Sequence, residues 1–179
     1  MTKQRSPIVL PWKGVEPVIA EDAFIAPNAT IIGDTQIASK ASIWFNVVLR
    51  GDVSYIRVGE RTNIQDGAVV HVSSKELPTL IGADVLIGHM AIIHACTLED
   101  GCFIGMSSTV MDGAVVEKGA MVAAGALVAP GKRVGAGQLW AGTPARYVRD
   151  VKLEERNSFP EQIQRYVELG QAYSSLVSD

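Results

Sequence analysis

The sequence predicts an all-β solenoid of six-residue repeats followed by one amphipathic helix, and three observations predict it. Large aliphatic residues recur every six positions, at Ile19, Ile25, Ile31, Ile37, Ile43 and Leu49 and again from Ile104 to Val134. Between these runs, Val58, Ile64 and Val70, then Ile81, Ile87 and Ile93, then Leu98 continue the pattern after steps of nine, eleven and five residues. Four positions after the leading residue stands a small or β-branched one, such as Ala23, Ala29, Thr35, Ala41 or Val47. From Asn157 the apolar spacing becomes helical.

A helix wants apolar residues three and four apart and a strand alternates by two, so a period of six fits neither alone. It fits short flat strands that each place one aliphatic residue inward, with a small residue at each tight corner. Glycines such as Gly33, Gly51, Gly82, Gly101, Gly113 and Gly119 suit the turns. The chain divides into a lead-in over 1–16, the solenoid over 17–146 and a helical tail over 147–179. In the tail, Ser158 suits a helix cap and Pro160 its first turn. Ile163, Tyr166, Val167, Leu169, Tyr173, Leu176 and Val177 form a stripe expected to pack along a solenoid, with a tyrosine such as Tyr173 reaching the site as the lesser alternative.

The totals exclude several classes. With 179 residues, 20% charged and a net charge of −3, the chain has the size of one domain and no basic run for nucleic acid. Its apolar runs fall far short of the roughly 20 residues that cross a bilayer. The N-terminus lacks the apolar core of a secretory signal, and two cysteines, Cys96 and Cys102, are too few for a disulfide framework. Both point to a reducing, cytoplasmic setting and to buried thiols.

The three histidines fall at particular places in the repeat. Arg50, His71 and His94 each follow the leading aliphatic residue of their hexad, and each is three hexads from the next. If three hexads make a coil, the three residues stack on one face, about 4.8 Å apart per coil. Two imidazoles then converge on one ion. His89 belongs to the preceding hexad, near Gln65 and Asp66 one coil below, so a corner separates it from the pair. Two copies packed side by side with threefold symmetry would complete a three-histidine site at each interface, giving a homotrimer. Three neutral imidazoles accept Zn2+, Fe2+ or Co2+, and an open fourth position lowers the pKa of a bound water to about 7.

The hexads, together with RGD at Arg50 to Asp52, NIQD at Asn63 to Asp66, His71, and the His89 and His94 spacing, resemble the γ-class carbonic anhydrases and their relatives, left-handed parallel β-helix proteins. The segment Leu139 to Asp150 is similar to the exit from such a helix. The resemblance implies that His71, His89 and His94 hold the metal and that its hydroxide attacks CO2 to give bicarbonate. It implies that Gln65 hydrogen-bonds the bound water or bicarbonate, and that Arg50, Asp52 and Asp66, with Asn63 beside them, form a charged shell at the subunit interface. Well-known active members carry further acids for proton exit. Here Val53 follows Asp52 and the short loop from Ser73 to Thr79 has only Glu76, leaving Glu76 or Tyr173 as substitutes. The alternatives are a hexapeptide-repeat acyltransferase, a metal-binding relative with little or no hydratase activity, and a metal-dependent thioesterase.

Overall fold

The structure, a computed structural model, describes residues 6–74 and 77–177. It is a parallel β-solenoid of about seven turns with one C-terminal helix. The chain winds around three flat faces. The first carries Ile8–Leu10, the leading halves of Thr30–Ile37 and Val48–Val58, then Val69–His71, Ile92–His94, Thr109–Val110 and Leu127–Val128. The second carries Val18–Ile19, the trailing halves of the same two long strands, then Thr79–Ile81, Thr97–Leu98, Val115–Val116 and Arg133–Val134. The third runs from Phe24–Ile25 through Asn63–Ile64 and Leu86–Ile87 to Gln138–Gly142.

Every coil stacks on the last in register, so residues at the same place in the repeat form columns. Ile31, Leu49, Val70, Ile93, Val110 and Val128 make one such column inside the prism, each at most 1% exposed. Cutting one of these back to alanine costs about 2–5 kcal/mol, because the coils above and below cannot close the hole. Cys96 and Cys102 lie in the same core, 2% and 1% exposed, and burial pushes both thiols up, Cys96 to about 12. They are free and unreactive apolar fillers.

The steps of nine and eleven residues are excursions from the coil. Between Gly51 and Ile56, Val48–Val58 spends five steps where the strand below spends two, from Gly33 to Thr35. Val53 and Ser74 therefore fall outside the corners that the repeat assigns them and are exposed. Gly51 has its own reason to be glycine: a Cβ there would lie 2.7 Å from the Asp34 carbonyl oxygen of the coil below.

Both ends depart from the expected boundaries. Pairing begins earlier than the repeat, since Ile8–Leu10 lies beside Thr30 to Ile32. It also ends later, since Ala145–Asp150 turns back antiparallel on Gln138–Gly142. The helix α1, Leu153–Val177, starts before Ser158, so Ser158 and Pro160 lie inside it rather than at its cap. The start is set by Glu155, whose Oε2 accepts the Lys152 backbone N–H at 2.8 Å while Arg149 grips both carboxylate oxygens at 2.7 and 2.8 Å. This is half of a capping box, reinforced by a bidentate ion pair. Of the expected stripe, Ile163, Tyr166, Val167 and Tyr173 face the solenoid, whereas Leu169 and Leu176 are exposed; the Val177 side chain lies outside the described residues.

Candidate metal centre

Two parallel registers place the first cluster. Arg50 pairs with His71 and His71 with His94 along the first face, confirming the column read from the spacing. The side chains continue it into a stack through four coils, carboxylate, imidazole, imidazole, carboxylate. His71 Nε2 lies 3.0 Å from Asp52 Oδ1, His71 Nδ1 lies 3.1 Å from His94 Nε2, and His94 Nδ1 lies 2.6 Å from Asp112 Oδ1. Arg50 closes the lower end on the other oxygen of Asp52. The excursion after Gly51 makes this possible, because it frees Asp52 to reach upward to the next coil. Thr79, fully buried, donates to the His71 carbonyl and pins the backbone at the far end of the loop.

Burial alone would push the Asp52 carboxyl up, but hydrogen bonds from His71 and Arg50 together outweigh it and hold the group below its ordinary range. Asp112 behaves alike: burial raises it, and the bonds from His94 and Ser73 win. Both carboxylates are thus ionised near neutral pH and can only accept. Each carboxylate therefore accepts the ring proton of the imidazole beside it.

The pair fits a metal ion. Two nitrogens bound tetrahedrally at about 2.0–2.1 Å from one ion stand about 3.3 Å apart, close to the observed 3.1 Å. His94 Nε2 is free to bind because Nδ1 is engaged by a carboxylate, the usual arrangement behind a metal-binding histidine. Among the described residues, no three or more His, Cys, Asp or Glu side chains of the single chain are placed to hold one ion.

The second cluster sits at the corner between the third and first faces. There the backbone enters the left-handed region at Asn46, Gly67, Met90, Ser107 and Gly125 in successive coils. His89 precedes Met90 in this turn and binds Asp66 of the coil below, Nδ1 to Oδ2 2.9 Å, both side chains 42% exposed. The whole of Ile92–His94 separates His89 from the pair, a span of up to ~16 Å. Behind the corner, Gln65 is 5% exposed and donates to Asn63, which donates to Ser42, at 3.0 Å each. Ser42 and Trp44, which complete the network, carry no motif.

Tyr173 does not reach either cluster. Its ring packs among Phe24, Trp44 and Phe45, with centroids 5.3–5.9 Å away, in the seam between α1 and the third face. Tyr166, one helical stretch earlier, packs edge-on to Trp44, centroids 5.7 Å apart, and its hydroxyl is raised by burial first and by the Asp66 charge second. Glu76 lies outside the described residues. Asp112 is the main residue that motif reading misses. The repeat holds only an indirect signal for it: the coil of seventeen residues that sets Ile93 beside Val110 brings Met111 level with His94, and Asp112 stands one position beyond.

Fold and repeat define a hexapeptide-repeat β-helix protein. The family model described as the hexapeptide repeat of succinyl-transferase matches residues 96–130. The chain is 48% identical to the Methanocaldococcus jannaschii protein named "Probable carbonic anhydrase", over 88% of this chain and 99% of that one. It belongs to the γ-carbonic anhydrase-like family. It is also 49% identical to the Arabidopsis thaliana protein named "Gamma carbonic anhydrase 2, mitochondrial", over 89% of this chain, and spans 59% of that relative's length. A solved structure from Bacillus cereus described as a putative acetyltransferase superposes with TM-score 0.93 at 40% identity, over 96% of this chain and 99% of that one. No helix among the described residues is long and apolar enough to cross a membrane.

Proposed function

We propose that the chain is a metal-dependent carbonic anhydrase, interconverting CO2 and bicarbonate, as a homotrimer in which His71 and His94 of one subunit and the partner subunit's His89 hold each metal. The observation that carries the reading is the pair of imidazoles 3.1 Å apart with a carboxylate behind each. Zn2+ suits three imidazoles, with Fe2+ or Co2+ as alternatives. Such an ion, when bound, supplies a Lewis acid that brings the pKa of a coordinated water to about 7. The chain's own residues do the rest. Asp52 and Asp112 fix the rings, Gln65 in its buried amide chain orients a small oxygen-bearing substrate, and Arg50 with Asp66 joins the subunits.

Two features support the trimer. The outer side of the first face presents Val69 and Ile92 beside the histidine pair, 40% and 44% exposed, and the corner presents Met90 and Met106, 62% and 55% exposed. Pairing these surfaces between copies covers both and brings the corner histidine to the pair. Two free buried thiols agree with a reducing compartment such as the cytoplasm.

The test is complementation. His89→Ala and His94→Ala chains each lose metal and CO2 hydration in their own trimers. Unfolded together and refolded as mixed trimers, they regain metal wherever an intact pair meets an intact His89. No metal in the wild-type trimer after zinc is supplied overturns the reading. An acyltransferase is the second reading, favoured by the Bacillus cereus structure's description; transfer of an acyl group in metal-free protein would establish it. Metal without hydration would leave a binding protein or a thioesterase.

A further inference from the structure

We infer that Asp112 is a positioning residue for this site: it holds His94 in the Nδ1–H tautomer, so that the Nε2 lone pair is aimed at His71 before any metal or partner subunit arrives. The inference rests on the proposed metal reading for its consequence, although the tautomer itself is a property of the metal-free chain.

The geometry is specific. Asp112 Oδ1 lies 2.6 Å from His94 Nδ1, the shortest of the three bonds in the stack. An ionised carboxylate accepts and cannot donate, so the proton of this bond belongs to the ring. In the neutral imidazole that leaves Nε2 bare, and Nε2 is the atom facing His71 at 3.1 Å. Ser73, at the start of the loop that leaves the coil after His71, adds to what holds the Asp112 carboxyl below its ordinary range, after His94 itself. The Gly113 N–H donates to the Ala95 carbonyl at 2.7 Å and fixes the turn that carries Asp112. Asp52 is a poorer candidate for this role. Its charge is shared with Arg50, and it addresses the other ring.

The experiment compares wild type with D112N in the full-length protein. Asn replaces the ionised acceptor with a neutral amide, whose oxygen accepts more weakly and whose N–H supports the opposite tautomer, and so removes the bias toward Nδ1–H. Long-range 1H–15N correlations on metal-free protein at pH 8 read the ring, and competition with a chelator reads zinc affinity. The wild type is expected to show Nδ1–H at His94. D112N should lose that signature and bind zinc about 10–100-fold more weakly. An unchanged tautomer in D112N overturns the inference, as does a switched tautomer with wild-type affinity. Wild type that binds no zinc but shows Nδ1–H, lost in D112N, supports the positioning role while sinking the metal reading. Should D112N fail to fold, D112E is read instead; it must retain Nδ1–H and most of the affinity, and loss of either overturns the inference.

Discussion

The two histidine clusters differ in how much of their order a single chain supplies. His71 and His94 are locked between Asp52 and Asp112, with side-chain exposures of 14–30% along the stack. His89 has one partner, Asp66, and both stand 42% open to solvent. A partly buried ion pair flanked by further hydrogen bonds is geometrically determined, whereas an exposed pair contributes about 0–1 kcal/mol and leaves the ring mobile. The coil builds one cluster rigidly and leaves the other to be ordered by whatever packs on the corner.

Substitutions can break that comparison. The largest effect is expected from His94→Ala, which removes a ligand: zinc affinity falls by about 10³-fold or more, measured by chelator competition, with the β-sheet circular dichroism unchanged. Next is Asp52→Asn, which leaves Arg50 and His71 without their shared anion. Zinc affinity should fall about 10–100-fold, and thermal melting should drop by several degrees, from the loss of charge-assisted bonds worth about 1.5–3 kcal/mol. Asp66→Asn, on the exposed half, should lower the melting temperature of the chain far less than Asp52→Asn does, because solvent already screens that pair, and should weaken metal binding only through the proposed subunit contact. An Asp66→Asn drop in melting temperature as large as that of Asp52→Asn would abolish the distinction between the clusters.

The carboxylates set an acid limit. Asp52 and Asp112 are depressed in the folded chain below the usual 3.8, so their stabilisation is present in full above that value and is lost as pH falls through the folded values. Asp52→Asn should therefore flatten the pH dependence of stability below about pH 4. The smallest effect is expected from Tyr166→Phe, under about twofold on hydration, since the ring packs on Trp44 and makes no direct contact with the histidine clusters.

The sequence by itself determined the solenoid, the inward aliphatic columns and the stacking of Arg50, His71 and His94. The reason is arithmetical: parallel coils in register turn residue count directly into position, so a period of six is a coordinate system. It also isolated His89 one face away. What depends on side chains crossing between coils was decided only by the tertiary structure. Asp52 reaches His71 because three extra residues bulge the coil after Gly51, and Asp112 reaches His94 from a turn with no motif of its own. The helix obeys no such count. Ser158 and Pro160 suggest its start, yet Arg149 and Glu155 set it earlier, and docking on Phe24, Trp44 and Phe45 places both Tyr173 and Tyr166 in packing. Helical periodicity names the buried stripe, but the phase and height at which that stripe meets the solenoid come from packing of large rings against one another, which no local spacing encodes.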